Sequence, residues 1–246
     1  METFAETLAR LGSAQKGAAR SAPAYSRFVN RRLGRVCAAV AYRLRLTPNQ
    51  VSAASAVFTF SGVVLLALLR PSWGLGLAVC LLLVVGYALD SADGQVARLT
   101  GTGSPVGEWL DHVIDSVKVV SLPLALLVGL FRADVVDDGW LLVPLVNAIV
   151  WSVLFFGMMI TEQLRRAHGA KSEARTKGRL PWLRSVLVLP TDYGLLCLSF
   201  VVYGEPHVFL VVFAVITLGM LGFVGLALPK WYRDIRALPA RIPGDV

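Results

Sequence analysis

Charge is what this sequence is short of. Only 16% of its 246 residues are Asp, Glu, Lys or Arg, against about 25% in soluble domains. With a mean hydropathy of +0.64, that shortage excludes an ordinary water-soluble globule. Acid is scarcer than base, at 16 residues against 24. Cysteine is confined to Cys37, Cys80 and Cys197, each alone in an apolar stretch. Without a C-x-x-C pair, neither a zinc ribbon nor a disulfide framework is expected, and the three read as small packing residues. Residues 1–23 lack the apolar run of a cleavable signal peptide and read as a flexible or surface-lying lead-in.

Long apolar runs are what the sequence has instead. A bilayer-spanning helix needs about 20 predominantly apolar residues. Six such segments are expected at Asn49–Leu69, Trp73–Arg98, Pro105–Phe131, Trp140–Leu164, Leu183–Tyr203 and His207–Trp231. The expected fold is an all-α membrane protein, with one six-helix domain over residues 47–232 and a tail at 233–246. Residues 24–46 form an amphipathic lead-in: Val29, Leu33, Val36 and Val40 recur at helical spacing, while Arg27, Arg31 and Arg35 line another face. Such a helix can lie in the headgroup layer or pack as an ordinary helix on the domain. Thr47-Pro48 then supplies a favoured helix start.

The net charge of +8 does not signal a nucleic-acid partner, because the basic residues collect on one side of the spans. Arg165, Arg166, Lys171, Arg175, Lys177, Arg179 and Arg184 share one loop, and Lys230, Arg233, Arg236 and Arg241 lie at the C-terminal end. The three turns on the other side hold only Arg70 and Arg132. The positive-inside tendency then puts both termini in the cytoplasm, as expected for a multi-pass protein of a bacterial cytoplasmic membrane. Gly219, Gly222 and Gly225 are candidates for close helix packing in the last span.

Four aspartates break the apolar pattern. Asp90 and Asp93 sit near the end of the second span, and Asp111 and Asp115 early in the third. Spacings of i,i+3 and i,i+4 put each pair on one helix face. The short turn at residues 99–104 makes the two helices antiparallel, so all four carboxylates reach similar depth. A charge at the centre of a spanning helix costs about 2.5–3.5 kcal/mol even on lenient scales, and mutual repulsion adds to that. Cations relieve both. Oxygen ligands without His or Cys favour Mg2+, Mn2+ or Ca2+ over zinc, and two divalent ions would balance four carboxylates. Glu108 points away from Asp111, and His112 lies off the same face. Lys118 is placed to adjust the charge of Asp115, to meet phosphate or to bond between helices.

The residues around the aspartates read Asp90-x-x-Asp93-Gly94-x-x-Ala97-Arg98, eight residues, Gly107-x-x-x-Asp111-x-x-x-Asp115. All eight defining positions resemble the signature of the CDP-alcohol phosphotransferase family. Thr47-Pro48-Asn49-Gln50-Val51-Ser52 is similar to that family's opening of the first span. The resemblance implies transfer of a substituted phosphate from a CDP-alcohol to an acceptor hydroxyl, with release of CMP. It further implies Asp90, Asp93 and Asp111 as metal ligands, with Asp115 as general base and further metal contact. Mg2+ is the expected metal, two ions at a time, with Mn2+ as a substitute. Gly94, Ala97 and Gly107 would admit the nucleotide closely, Arg98 would bond phosphate, and Ser104 would sit near the donor. Thr47, Asn49 and Gln50 are candidate nucleotide contacts. The family also suggests a homodimer.

The substrates stay open at this stage. CDP-diacylglycerol is the expected donor and a small polyol or polyol phosphate the acceptor, in phospholipid biosynthesis; a soluble CDP-polyol donor is the alternative. Asp192, inside an apolar run, either reads acceptor hydroxyls or caps a kink at Pro190, while Arg175, Arg179 and Arg184 are candidates for an acceptor phosphate. His168 and His207 fall in loops and suggest no role. A divalent-cation transporter also places aspartates in spanning helices, but it leaves Gly94, Ala97 and Arg98 without a role.

Overall fold

The computed structural model describes residues 3–14, 23–169 and 188–239, and the described residues are helical without strands. Helix α1 covers Phe4–Ala14 and α2 covers Arg31–Arg43, entered through a π-helical turn at Ser26–Asn30. Then follow α3 (Pro48–Leu68), α4 (Trp73–Thr100), α5 (Pro105–Ala133) and α6 (Leu142–Ala167). Helices α7 (Tyr193–Ser199) and α8 (Pro206–Arg236) complete the chain. Among the described residues, five helices are long and apolar enough to cross a membrane: α3, α4, α5, α6 with its preceding 3-10 turn, and α8.

The fifth expected span differs. Of Leu183–Tyr203, the part from 188 onward is described, and its apolar helix runs only over Tyr193–Val202. A 3-10 turn at Leu189–Thr191 precedes it, because Pro190 offers no amide hydrogen and Asp192 leaves helical geometry at ψ 106° to cap α7. The loop cations Lys171, Arg175, Lys177, Arg179 and Arg184 lie outside the described residues, as does Arg241.

Each hairpin end follows from local chemistry. Thr47 caps α3 reciprocally: its hydroxyl accepts the Gln50 amide at 3.3 Å, and the Gln50 side chain accepts the Thr47 amide at 2.8 Å. Helix α4 stops at Gly101, whose φ of +68° is the left-handed value that glycine takes without strain. Ser104 restarts the chain by accepting the Gly107 amide at 3.1 Å, and Pro105 occupies the first turn of α5.

Three apolar clusters hold the bundle. Leu83, Leu126, Phe200, Phe209 and Phe213 belong to the largest, built from α3, α4, α5, α7 and α8. Val150, Leu154, Met220 and Trp231 join α6 to α8. Leu11, Ala38, Ala41, Val51, Ala92 and Val96 seat α1 and α2 on α3 and α4, at the aspartate end. The small-residue lead-in thus contains a helix, with Thr7 and Leu11 buried. On α2 the row Leu33, Val36 and Val40 is exposed while Gly34, Ala38 and Ala41 are buried. That outward apolar face is what a helix lying in the headgroup layer requires. Gly34 sets the approach to α4: a β-carbon there would come within 2.7 Å of the Ser91 hydroxyl. In the last span, Gly219 makes the close approach, against Pro190, whereas Gly222 and Gly225 face open space.

Candidate active site

Helices α4 and α5 run 28 and 29 residues, about 40 Å at 1.5 Å per residue. That exceeds the roughly 30 Å hydrocarbon layer, so each helix is long enough to reach past it. Asp90 lies ten residues before the end of α4, and Asp115 ten residues after the start of α5. Antiparallel pairing therefore brings them level.

Asp90, Asp111 and Asp115 each offer a carboxylate oxygen within 4.8 Å of the others. Three convergent oxygens with no sulfur or imidazole among them fit a hard divalent cation. Asp93 stands apart from this triad in a buried pose. Its Oδ2 accepts the Ser52 hydroxyl at 2.5 Å and its Oδ1 accepts the Gly94 amide at 2.5 Å. It lines a cleft of about 680 Å3 together with Asn49, Gly94, Arg98, Ser104 and Asp111. Asp111 therefore belongs to both the triad and the cleft.

Ionised, the four carboxylates outnumber the local cations. Lys118 is buried, and its ammonium contacts Asp115 directly and Asp90 at 3.5 Å. It also lies 5.2 Å from the centre of the Tyr193 ring, a cation–π contact. Lys118 thus does two of the things its position allows: it pairs with Asp115 on its own helix and bonds across to Asp90 on α4. One ammonium cannot neutralise four carboxylates, and unpaired charge in a poorly polarisable interior is costly. This excess fits the binding of further cations.

Ala97 and Gly107 also line the cleft. A β-carbon on Gly94 would meet the Arg98 guanidinium at 3.3 Å, and one on Gly107 would meet Asn49 Oδ1 at 3.3 Å. Both glycines therefore keep the cleft open. Arg98 is exposed and makes no ion pair among the described residues. Thr47 and Gln50 do not line this cleft; their side chains cap α3. Glu108 pairs with Arg166 at 2.8 Å, away from the carboxylate triad. His112 lies 3.8 Å from both Asp111 and Glu108.

Asp192 is the residue whose two sequence readings the geometry separates. It is 1% exposed, and its oxygens accept the Gly194 amide at 3.1 Å and the Tyr25 amide at 2.7 Å. It caps α7 and ties Tyr25 to the last third of the chain, and its burial keeps it out of reach of an acceptor hydroxyl. Ser52 enters the site through its bond to Asp93; the sequence offers it only as the last residue of the Thr47–Ser52 opening, with nothing to tie it to an aspartate 41 residues on.

The sequence model of the family described as CDP-alcohol phosphatidyltransferase matches residues 45–232. An archaetidylinositol phosphate synthase of Aeropyrum pernix is 32% identical over 85 residues, 31% of this chain and 44% of that protein. The chain thus spans less than half the length of this curated relative. A crystal structure of the Mycobacterium tuberculosis phosphatidylinositol phosphate synthase with CDP-DAG bound aligns at a TM-score of 0.56. The alignment covers 87% of this chain and 98% of that one at 18% identity, a likeness of fold. The family match takes in every motif residue from Asp90 to Asp115 and well over half of the sequence: this chain belongs to the CDP-alcohol phosphatidyltransferase family.

Proposed function

We propose that the protein transfers a phosphatidyl group from CDP-diacylglycerol to a hydroxyl of a small polyol phosphate or polyol, releasing CMP in phospholipid biosynthesis. The observation that carries this reading is the carboxylate triad of Asp90, Asp111 and Asp115, joined through Asp111 to the cleft that holds Asp93 and Arg98. In the reaction, the acceptor oxygen bonds to the phosphatidyl phosphorus while the bond from that phosphorus to the bridging oxygen breaks. The electron pair leaves with CMP. Asp115 takes the acceptor's proton, and Lys118 against it holds the carboxylate in place. Arg98 bonds the donor diphosphate, and Gly94 and Gly107 leave room for the nucleotide. Two divalent ions, Mg2+ or Mn2+, held by Asp90, Asp93, Asp111 and Asp115, would supply neutralisation of the diphosphate charge when bound.

The activities of the two relatives, archaetidylinositol phosphate and phosphatidylinositol phosphate synthesis, favour a polyol phosphate as acceptor and a lipid donor over a soluble CDP-polyol. Cytoplasmic placement of the site and of both termini follows from the loop charges, and a homodimer is the assembly proposed. The test offers purified protein CDP-diacylglycerol, Mg2+ and a panel of polyols and polyol phosphates. CMP release that depends on both metal and acceptor is expected. No CMP with any acceptor, alongside metal flux in vesicles, would turn the reading toward a transporter.

A further inference from the structure

A second cleft, of about 720 Å3, adjoins the first, and Pro48, Asn49, Thr102 and Ser104 line both. The rest of its wall comes from Thr7 on α1, from the end of α2 and the link after it through Tyr42, Arg43, Arg45, Leu46 and Thr47, and from Thr100 on α4. Among the described residues, no carboxylate lines it. The nearby acid on α1, Glu6, is engaged with the Thr3 amide at 2.7 Å. Neither Arg43 nor Arg45 forms an ion pair or a side-chain hydrogen bond among the described residues. Two free guanidiniums beside hydroxyls, with no acid between them, suit a phosphate, whose oxygens match the planar fork of arginine donors.

The backbone at Arg45 points the same way independently. The Leu46 amide bonds the Ala41 carbonyl at 3.0 Å and the Arg45 amide bonds the Tyr42 carbonyl at 3.0 Å. This is the Schellman closure of α2, which places Arg45 at the left-handed position usually held by glycine. Its φ is +56°. Glycine would fill that position without strain, yet an arginine stands there and turns a cation into the acid-free cleft. Strain of this kind argues for a role of the side chain itself.

We propose that this second cleft binds a phosphate-bearing anion through Arg43 and Arg45. The phosphate comes either from the headgroup of an anionic lipid or from a soluble compound. The site is separate from the transfer chemistry, and its occupancy would press on the shared wall at Asn49 and Ser104.

The full chain is placed in phosphatidylcholine nanodiscs, and Arg43 modification by phenylglyoxal is followed by mass spectrometry. One arm titrates inorganic phosphate; the other replaces part of the lipid with phosphatidylglycerol and adds no phosphate. Protection of Arg43 in the first arm identifies a soluble ligand, and in the second alone a lipid headgroup. Arg45→Gly relieves the backbone and removes the cation, so it is expected to melt no lower than the parent. It should weaken the protecting anion about tenfold, the equivalent of one lost charge-assisted contact. Arg45→Gln, which keeps the strained backbone, should weaken it equally. Protection that survives both substitutions is mere surface attraction and overturns the proposal, as does an absence of protection in both arms.

Discussion

Replacing Lys118 with methionine keeps the stem against Tyr193 but removes the ammonium from Asp90 and Asp115. Lys118 is 6% exposed, so the two carboxylates lose a desolvated partner rather than a hydrated one. Removing one member of a buried ion pair costs about 3–5 kcal/mol. At about 2–4 °C per kcal/mol for a chain of this size, the melting temperature in EDTA should fall by roughly 6–20 °C. Saturating Mn2+ supplies other cations to the same oxygens, so most of that deficit should vanish on metal addition. The assay is thermal unfolding of the detergent-solubilised protein, parent and variant, in EDTA and in Mn2+. Lys118→Arg, which retains the charge, should lose less than half as much in EDTA. An equal fall with and without metal would refute the reasoning, because Lys118 would then be a packing residue and not the counter-ion of a metal site.

Asp115→Asn should slow turnover about 10²–10⁴-fold, the range for a positioned general base, while donor binding measured by calorimetry persists; normal turnover would remove Asp115 from that role. Asp93→Asn should weaken metal and donor binding together, since its oxygens hold the Ser52 hydroxyl and the Gly94 amide; loss of one alone would separate the two functions. Asp192→Ala should cost about 2–4 kcal/mol through the lost α7 cap and the unpaired Tyr25 amide, read in chemical denaturation. Its acceptor KM should stay unchanged, and a raised KM at parental stability would return Asp192 to substrate recognition. Gly34→Val should destabilise by about 1–3 kcal/mol through overpacking, because its β-carbon would collide with Ser91; an unchanged melting temperature would show that α2 can move off α4.

The aspartates were legible because charge inside apolar helices has few explanations, and their spacing fixed their shared faces without tertiary information. The helix start at Thr47-Pro48 was legible, but Gln50's part in the cap was not, because the reciprocal bond to the Thr47 amide depends on the side-chain rotamer and not on residue type. The Lys118 contact with Asp115 follows from i,i+3 spacing, whereas its reach to Asp90 depends on how two helices are rotated about each other. Hydropathy saw an apolar run at Leu183–Tyr203 and missed its interruption, since Pro190 and Asp192 alter backbone geometry without changing average polarity. The helix at Phe4–Ala14 escaped because its seat on α2 is made by only a few apolar residues within a segment rich in small ones.

The bond between the Tyr25 amide and Asp192 spans 167 residues, and it sets an order of events during synthesis. Ribosomes extend a chain at about 5–20 residues per second, so Tyr25 waits on the order of 10–30 s for its partner to be made. During that interval α3 to α5 can insert and pair and α2 can seat on α3 and α4 through Ala38, Ala41, Ala92 and Val96, but Tyr25 has no fixed seat. Gly194, whose β-carbon would collide with the Tyr25 ring, must arrive with Asp192 before that seat exists. The Tyr25 anchor is therefore among the last contacts to form, and a nascent chain that stalls before α7 should carry α2 on α3 and α4 with Tyr25 still unheld.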